Sequence, residues 1–445
     1  MSEKLVKEST FISFDGTVGL RTSHQRPDRY RHLEVDFGSQ HRIARGGGYS
    51  FSAASFGEKI LVQEMGGFDR FLDFDPVLKT VKVEAGMPLG KLLNWSMKRG
   101  LYFPVLPGYP EITIGGCVAV DAHGKNPWKD GTFSEWVTEI TLFHSTHGYL
   151  RLSGDENPEA FGLTCGGFGM TGIIVDVTLQ LVELPANAFE VKKIPVTSLD
   201  ETMRILAESS GRSDFAYSWH DGARRGKAFG AGVIFLGNWL EGNQADIRVC
   251  LKNKPMTARS RAGIRFSLWN SYSVAVANRV FQAMSNSRPI EIMDVEKATF
   301  PFAYNTLYHR FFGRKGFAEI QLMVKHNFAQ TFVQKLHDLV EQYKPPLVMI
   351  SLKMFRGKQE SLSMSGEGYL IALNFYQNSR LSDFLKKVDQ LAIESGAQPN
   401  LSKDSRISKE VVTSTLQNYA GFKSRLQAFD PLRMYRSELS NRIGV

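Results

Sequence analysis

Ala44-Arg45-Gly46-Gly47-Gly48-Tyr49-Ser50 is the stretch on which the reading of this chain turns. Three consecutive glycines follow the strand-like His41-Arg42-Ile43-Ala44. Such a run lets backbone take positive φ and approach a ligand closely. Successive amide N–H groups in a loop of this kind form a concave nest for phosphate oxygens, and Arg45 would add a charge. A plain flexible turn accounts for the same seven residues. A second stretch adds weight to the nest. Pro107-Gly108, Ile112-Thr113-Ile114-Gly115-Gly116-Cys117 and Asp121-Ala122-His123-Gly124-Lys125-Asn126 place another glycine-rich turn and a polar cluster between residues 107 and 126. Two such loops suggest a large, phosphate-bearing cofactor held along its length.

The chain has 445 residues, long enough for two domains with separate cores. Hydrophobic residues make up 42% and charged residues 22%, ordinary for a soluble globular protein. The net charge of +9 favours anionic partners, such as a phosphorylated substrate or an acidic membrane surface, beside the plainer reading of a diffuse basic surface. No Lys/Arg run interleaved with aromatics is present, so nucleic-acid binding is not expected. Cys117, Cys165 and Cys250 are odd in number and lack metal-ligand spacing. No metal site is therefore expected, and a reducing, cytoplasmic setting fits. The amino-terminal residues are charged without an apolar core, so a signal peptide is not expected. No window of eighteen apolar residues suggests a membrane span.

Along the chain, residues 10–35 read as an irregular lead-in. Lys59 to Gln63 and the alternating Thr80 to Ala85 read as strands. Pro88 opens a helix from Leu89 to Arg99 that Gly100 stops. Glu135 to Ser153 reads as a hairpin turning at His144 to Gly148. Asn157-Pro158 starts a further helix. Gly167, Gly169 and Gly172 then spell a formal GxGxxG, but the following Ile173 to Leu181 alternates as a strand. A dinucleotide fingerprint requires a helix there, so that assignment is rejected. After Pro185, Phe317 to Val324, Leu347 to Phe355 and Tyr369 to Tyr376 read as strands. Amphipathic helices carry Phe332 to Tyr343 and Phe384 to Ala392. Strands and helices mixed without βαβ alternation give an α+β class, with helices packed on an antiparallel sheet. Residues 237–300 show little regular pattern.

These phrases resemble flavoproteins of the vanillyl-alcohol oxidase and p-cresol methylhydroxylase (PCMH) type. Within that superfamily the likeness points to the decaprenylphosphoryl-β-D-ribose 2′-oxidase group. It is carried by Pro104-Val105-Leu106-Pro107-Gly108, His123-Gly124-Lys125-Asn126, Gly167 to Ile174, Lys403-Asp404-Ser405-Arg406 and Asp430-Pro431-Leu432-Arg433. It spans residues 44 to the C-terminus, well matched at both ends and thin in the middle. The resemblance implies an FAD-binding domain over 1–187, a substrate domain over 188–397, and a segment 398–445 that returns to the FAD domain. FAD contacts would come from Arg45, Gly46, Gly47, Gly48, Tyr49, Ser50, Gly108, Thr113, Ile114, Gly115, Gly116, Asp121, His123, Ile174 and Asn400. The glycines from Gly167 would let backbone approach the flavin.

The resemblance also implies catalytic roles for Lys403, His123 and Lys125, with Lys125, Gln321, Lys353 and Lys403 at the substrate. Each has a plainer reading: a buried hydrogen-bonded histidine, loop residues, or a solvated charge cluster. Tyr49 stands where many relatives carry the His bonded to the flavin, which implies non-covalent FAD. Ala372 takes the place of a pocket Cys, Leu370 of an Asn, Glu319 of a Gln and Asn400 of a Tyr, so the substrate-facing wall differs from the family pattern. Within 237–300, a comparable stretch of the family covers the pocket. The implied activity is oxidation of a sugar secondary alcohol, at C2 of a polyprenyl-phosphoryl pentose. A nicotinamide-dependent reductase would complete an epimerisation for cell-wall synthesis, with peripheral contact at the inner face of a bacterial membrane. A free-sugar or aldonolactone oxidase, and a flavin-binding protein without turnover, are the alternatives.

Overall fold

Alternation organises the larger sheet. In Phe317–Lys325, Ile320, Leu322 and Val324 pack under helices, while Glu319 and Gln321 face a large cavity. In Gly368–Tyr376, Ile371, Leu373 and Phe375 take the helix side, and Leu370, Ala372 and Asn374 the cavity side. Strand registers set Glu319 opposite Asn374 and Gln321 opposite Ala372, then Ser351 opposite Ala372 and Lys353 opposite Leu370. A period of two in sequence thus becomes a row of pocket residues on one face and an apolar core on the other.

The computed structural model describes residues 6–240, 265–301, 303 and 306–445. The eight strands run in the order Ile290–Asp294, Ala188–Val196, Gly232–Trp239, Phe215–Asp221, Leu347–Phe355, Gly368–Tyr376, Phe317–Lys325 and Gln398–Pro399, each antiparallel to its neighbours. Helices Leu199–Ser209, His326–Tyr343 and Leu381–Ser395 cover the apolar face. The last of these stops at Gly396, whose φ of +63 costs a glycine nothing.

The amino-terminal region holds two smaller sheets and a two-stranded pair, Leu101–Tyr102 with Val182–Glu183. Residues 10–35 are not irregular: Val6–Ile12 and Gly19–Gln25 pair antiparallel and join Leu61–Glu64 and Arg42–Arg45 in a four-stranded sheet. The inward positions of that hairpin are Phe11, Thr22 and Gln25, too polar to show an apolar period. The second sheet orders Phe71–Asp75, Thr80–Glu84, Ile173–Gln180, Val137–His144 and Gly148–Ser153. Ile173–Gln180 is antiparallel to both neighbours, which confirms that the GxGxxG opens no βαβ unit.

Residues 398–445 come back across the molecule. Helices Lys409–Thr415, Tyr419–Phe429 and Glu438–Ile443 bury Val412, Phe422, Leu426 and Ile443 against Leu163, Phe168 and Met170. Each such side chain contributes about 1.5–3 kcal/mol when removed from water. Backbone bonds add to the seam, from Arg42 N–H to the Met434 carbonyl and from Glu438 N–H to that of Phe56.

The stretch 237–300 is also more regular than its sequence suggests. Ser271–Asn286 is a helix whose N-terminal N–H groups, on Tyr272 and Ser273, are accepted by the Asn270 side chain. Ile290–Asp294 and the helix Val295–Thr299 follow. The buried face of the long helix is Val274, Asn278 and Ser285, small and partly polar, so it gave no clear periodic signal. Residues 241–264, part of the stretch expected to cover the pocket, lie outside the described residues. No helix among the described residues is long and apolar enough to cross a membrane.

Candidate active site

The two glycine-rich loops meet. A Cβ at Gly46 would lie 2.0 Å from Thr113 Oγ1, and one at Gly47 would lie 2.4 Å from the Glu111 carbonyl oxygen. Only Gly48 of the three has positive φ, +75, so close approach rather than backbone handedness excludes side chains at Gly46 and Gly47. Thr113 caps the helix Ile114–Val120 by accepting from Gly116 N–H. Asp121 ends it at φ 47, where its carboxylate accepts from Thr132 Oγ1 and Ser134 N–H.

Both loops open on a cavity of about 1010 Å³. Gly46, Gly47, Gly48, Tyr49, Ser50, Gly108, Thr113, Gly115, Gly116, Asp121, His123, Ile174 and Asn400 line it, as do Lys125, Gln321, Lys353 and Lys403. Three sequence assignments differ. Arg45 is not a lining residue: its guanidinium lies over Phe11 and Phe56 and donates to Ser55 Oγ at 2.8 Å. Ile114 is fully buried in the core beneath the loop. Gly167 packs on the Leu163 carbonyl instead of the cavity, which Gly169 and Gly172 do reach.

Opposite the loops, the polar row of the large sheet is wired together. Glu319 accepts from Gln321 Nε2 at 2.7 Å and from Asn374 Nδ2 at 3.2 Å. Tyr308 OH donates to Asn374 Oδ1 at 3.0 Å, and Asn400 Nδ2 donates to Gln321 Oε1 at 2.8 Å. The returning segment completes the wall. Asn400 N–H donates to the Gln321 carbonyl, and Phe51 N–H, just past the first loop, donates to that of Ser402. Lys403 is therefore fixed between loop and sheet, its Nζ 3.9 Å from Glu319 Oε1 and 3.8 Å from the Phe51 ring centroid.

Asn374 and Tyr308 were missed by the sequence reading. Asn374 shares strand parity with Ala372, a signal that would have found it; Tyr308 lies in a short helix without periodicity.

Three amines and one imidazole crowd this end of the cavity. Lys353 Nζ donates to the Gly124 carbonyl at 3.0 Å, and burial with Lys403 nearby brings its pKa down to about 8. Lys125 donates to the Ala298 and Thr299 carbonyls at 2.5 Å, and burial holds it well below the usual lysine range. Lys403 is lowered by burial, while Glu319 opposes the shift. His123 sits edge-on to Phe355 and is lowered to about 3, chiefly by burial and then by Lys353. Its Nδ1–H donates to the Gly124 carbonyl at 3.1 Å, which leaves Nε2 as an acceptor.

Comparison with known proteins explains the loops. Residues 38–152 match the family model described as an FAD binding domain. This chain is an FAD-dependent oxidoreductase with an FAD-binding domain over the matched residues. It is similar to decaprenylphosphoryl-β-D-ribose oxidase of Mycolicibacterium smegmatis, 24% identical over 91% of this chain and 89% of that one. A mitochondrial L-galactono-1,4-lactone dehydrogenase of Oryza sativa is 32% identical, over 31% of this chain and 25% of its own length. D-2-hydroxyglutarate dehydrogenase of Xanthomonas citri is 30% identical, over 35% of this chain and 34% of its own. The glycine cradle and the cavity, at the upper end of ordinary ligand pockets of about 300–1,000 Å³, fit a dinucleotide.

Proposed function

We propose that this flavoprotein oxidises a sugar secondary alcohol to a ketone, at C2 of a polyprenyl-phosphoryl pentose, as the first half of an epimerisation. The observation that carries the reading is the joined wall of Lys403, Glu319, Gln321 and Lys353 facing the glycine loops across one cavity. The similarity to a decaprenylphosphoryl-ribose oxidase, extending over both halves of the chain, supports that substrate class over a free sugar. The likeness to lactone dehydrogenase covers less than a third of the chain.

Gly46 to Ser50 and Gly108 to Gly116 would hold FAD, non-covalently, since Tyr49 replaces the attachment His and its hydroxyl donates to Glu111 at 3.1 Å. When bound, FAD supplies the acceptor for the hydride leaving the carbinol carbon. The protein's own residues do the rest. Lys353, with its pKa of about 8, is suited to take the hydroxyl proton near neutral pH. Neutral His123 presents Nε2 as a hydrogen-bond acceptor that orients the hydroxyl. Glu319 positions Lys403 and favours its protonated form, giving a fixed cation where negative charge builds. Gln321 and Asn400 set the rim against which the sugar is placed. The nicotinamide-dependent reductase that acts on the ketone is a separate partner.

Anaerobic flavin reduction by a panel of polyprenyl-phosphoryl and free sugars tests the reading. Bleaching by the lipid-linked pentose and slow or no bleaching by free pentoses and aldonolactones is the expected result. Equal bleaching by the free sugars would overturn the substrate class.

A further inference from the structure

Nine of the sixteen large apolar side chains exposed among the described residues fall between residues 266 and 292. Seven of the nine lie on one helix and the sheet's edge strand, and Phe266 and Leu268 precede the helix. On Ser271–Asn286, Tyr272, Val276, Val280 and Met284 recur every fourth residue and point outward, while Val274, Asn278 and Ser285 point into the protein. Ile290 and Ile292 extend the patch onto Ile290–Asp294, the edge of the eight-stranded sheet. Apolar surface gathered in one place on a folded protein marks an interaction site.

Two observations say what kind of surface meets it. From residue 265 to 290 the chain has Arg265, Arg279 and Arg288 and no Asp or Glu, so the helix part of the patch is apolar with a cationic fringe, while on the edge strand Glu291 is paired with Lys193 and Lys297 and Asp294 is exposed beside Lys297. The patch is also continuous with the cavity: Phe281 and Met284 are 41% and 64% exposed yet line it, together with Ser287 and Arg288. We propose that the outer face of Ser271–Asn286 and the adjoining edge strand lie on an anionic lipid bilayer, with an apolar chain passing from it beside Phe281 and Met284 into the cavity. Interfacial helices bury one apolar stripe at the headgroup boundary, and each Lys or Arg near an anionic leaflet strengthens partition about fivefold. A second copy is the weaker occupant, because a two-fold pairing of these faces would bring like arginine fringes together. The surface rests on its own observations; delivery of a lipid-linked substrate rests on the function proposed above.

Vesicle flotation of the flavin-loaded full chain, without substrate, separates the two. Phosphatidylcholine vesicles are used with and without phosphatidylglycerol, at low and high salt. The protein should float with the anionic vesicles, less at high salt. Val276→Asp combined with Val280→Asp, positions that do not line the cavity, should weaken flotation at least tenfold with flavin content and Tm unchanged. If the double substitution costs folding, Arg279→Glu reads the same contact, and Val280→Leu should restore nothing because it should lose nothing. No flotation of the parent protein, or equal flotation of the variants, overturns the proposal. A dimer in solution that the double variant splits would assign the patch to a second copy and overturns it too.

Discussion

Lys353 ties a chemical role to a measurable pH. Its pKa of about 8 lies below the ordinary lysine value because burial and Lys403 both disfavour the charged form. As the proton acceptor it works deprotonated, so the rate of flavin reduction should rise with pH and level off above about 8. A rate that falls through the same range would show that its cation, not its lone pair, is what the reaction uses. His123 adds no limb between pH 6 and 7 if its pKa stays at about 3. Lys353→Met should remove the limb while leaving the flavin bound. Ala372 supports a second expectation. It lines the cavity opposite Gln321 and Ser351, where the family pattern has a cysteine. Cys117 and Cys165 are buried, with thiols pushed far above their usual range by desolvation. Compounds that trap the pocket thiol after turnover should therefore leave no adduct on the peptide containing Ala372, as mass spectrometry can read. Of these residues, Lys403 and His123 were legible only through whole phrases of sequence, and Lys353 only as a further pocket position that the resemblance implied. Glu319 was visible as a departure, but that it gathers Gln321, Asn374 and Lys403 depends on strand register, which a single strand's sequence does not contain.

The glycine loops make their prediction as elements. At Gly47 a side chain meets the Glu111 carbonyl, and overpacking of this kind costs about 1–3 kcal/mol. Gly47→Val should lower Tm and yield protein without flavin; normal flavin content would mean that the loop is only a turn. Gly108 is the informative contrast. A Cβ there has no protein atom within 4 Å, yet the residue lines the cavity. Gly108→Ala should leave Tm of the flavin-free protein unchanged and weaken FAD retention, read from the absorbance of the gel-filtered protein. The elements with a clear period, such as Thr80–Glu84, His326–Tyr343 and Gly368–Tyr376, were readable from the sequence because one face of each is apolar. Those that escaped, Val6–Ile12, Gly19–Gln25 and Ser271–Asn286, turn polar or small residues inward or apolar ones outward. In the helix the outward apolar pattern reports a surface role, not a core.

At the scale of the whole molecule, one site is built by three distant parts of the chain. The glycine loops, the antiparallel sheet and the segment after residue 398 converge on Lys403 through the bonds of Phe51 with Ser402 and of Asn400 with Gln321. A fixed cation there contributing even about 2 kcal/mol to the redox step is worth more than tenfold in rate, at about 1.4 kcal/mol per decade. The most direct measurement is stopped-flow anaerobic reduction of the flavin-loaded Lys403→Ala and Lys403→Arg proteins by the lipid-linked sugar. The account predicts that both keep their flavin, that Lys403→Ala is reduced at least tenfold more slowly, and that Lys403→Arg recovers part of the rate because arginine retains the charge. Reduction of Lys403→Ala at the parent rate would contradict it, and would mean that the returning segment does not reach the chemistry.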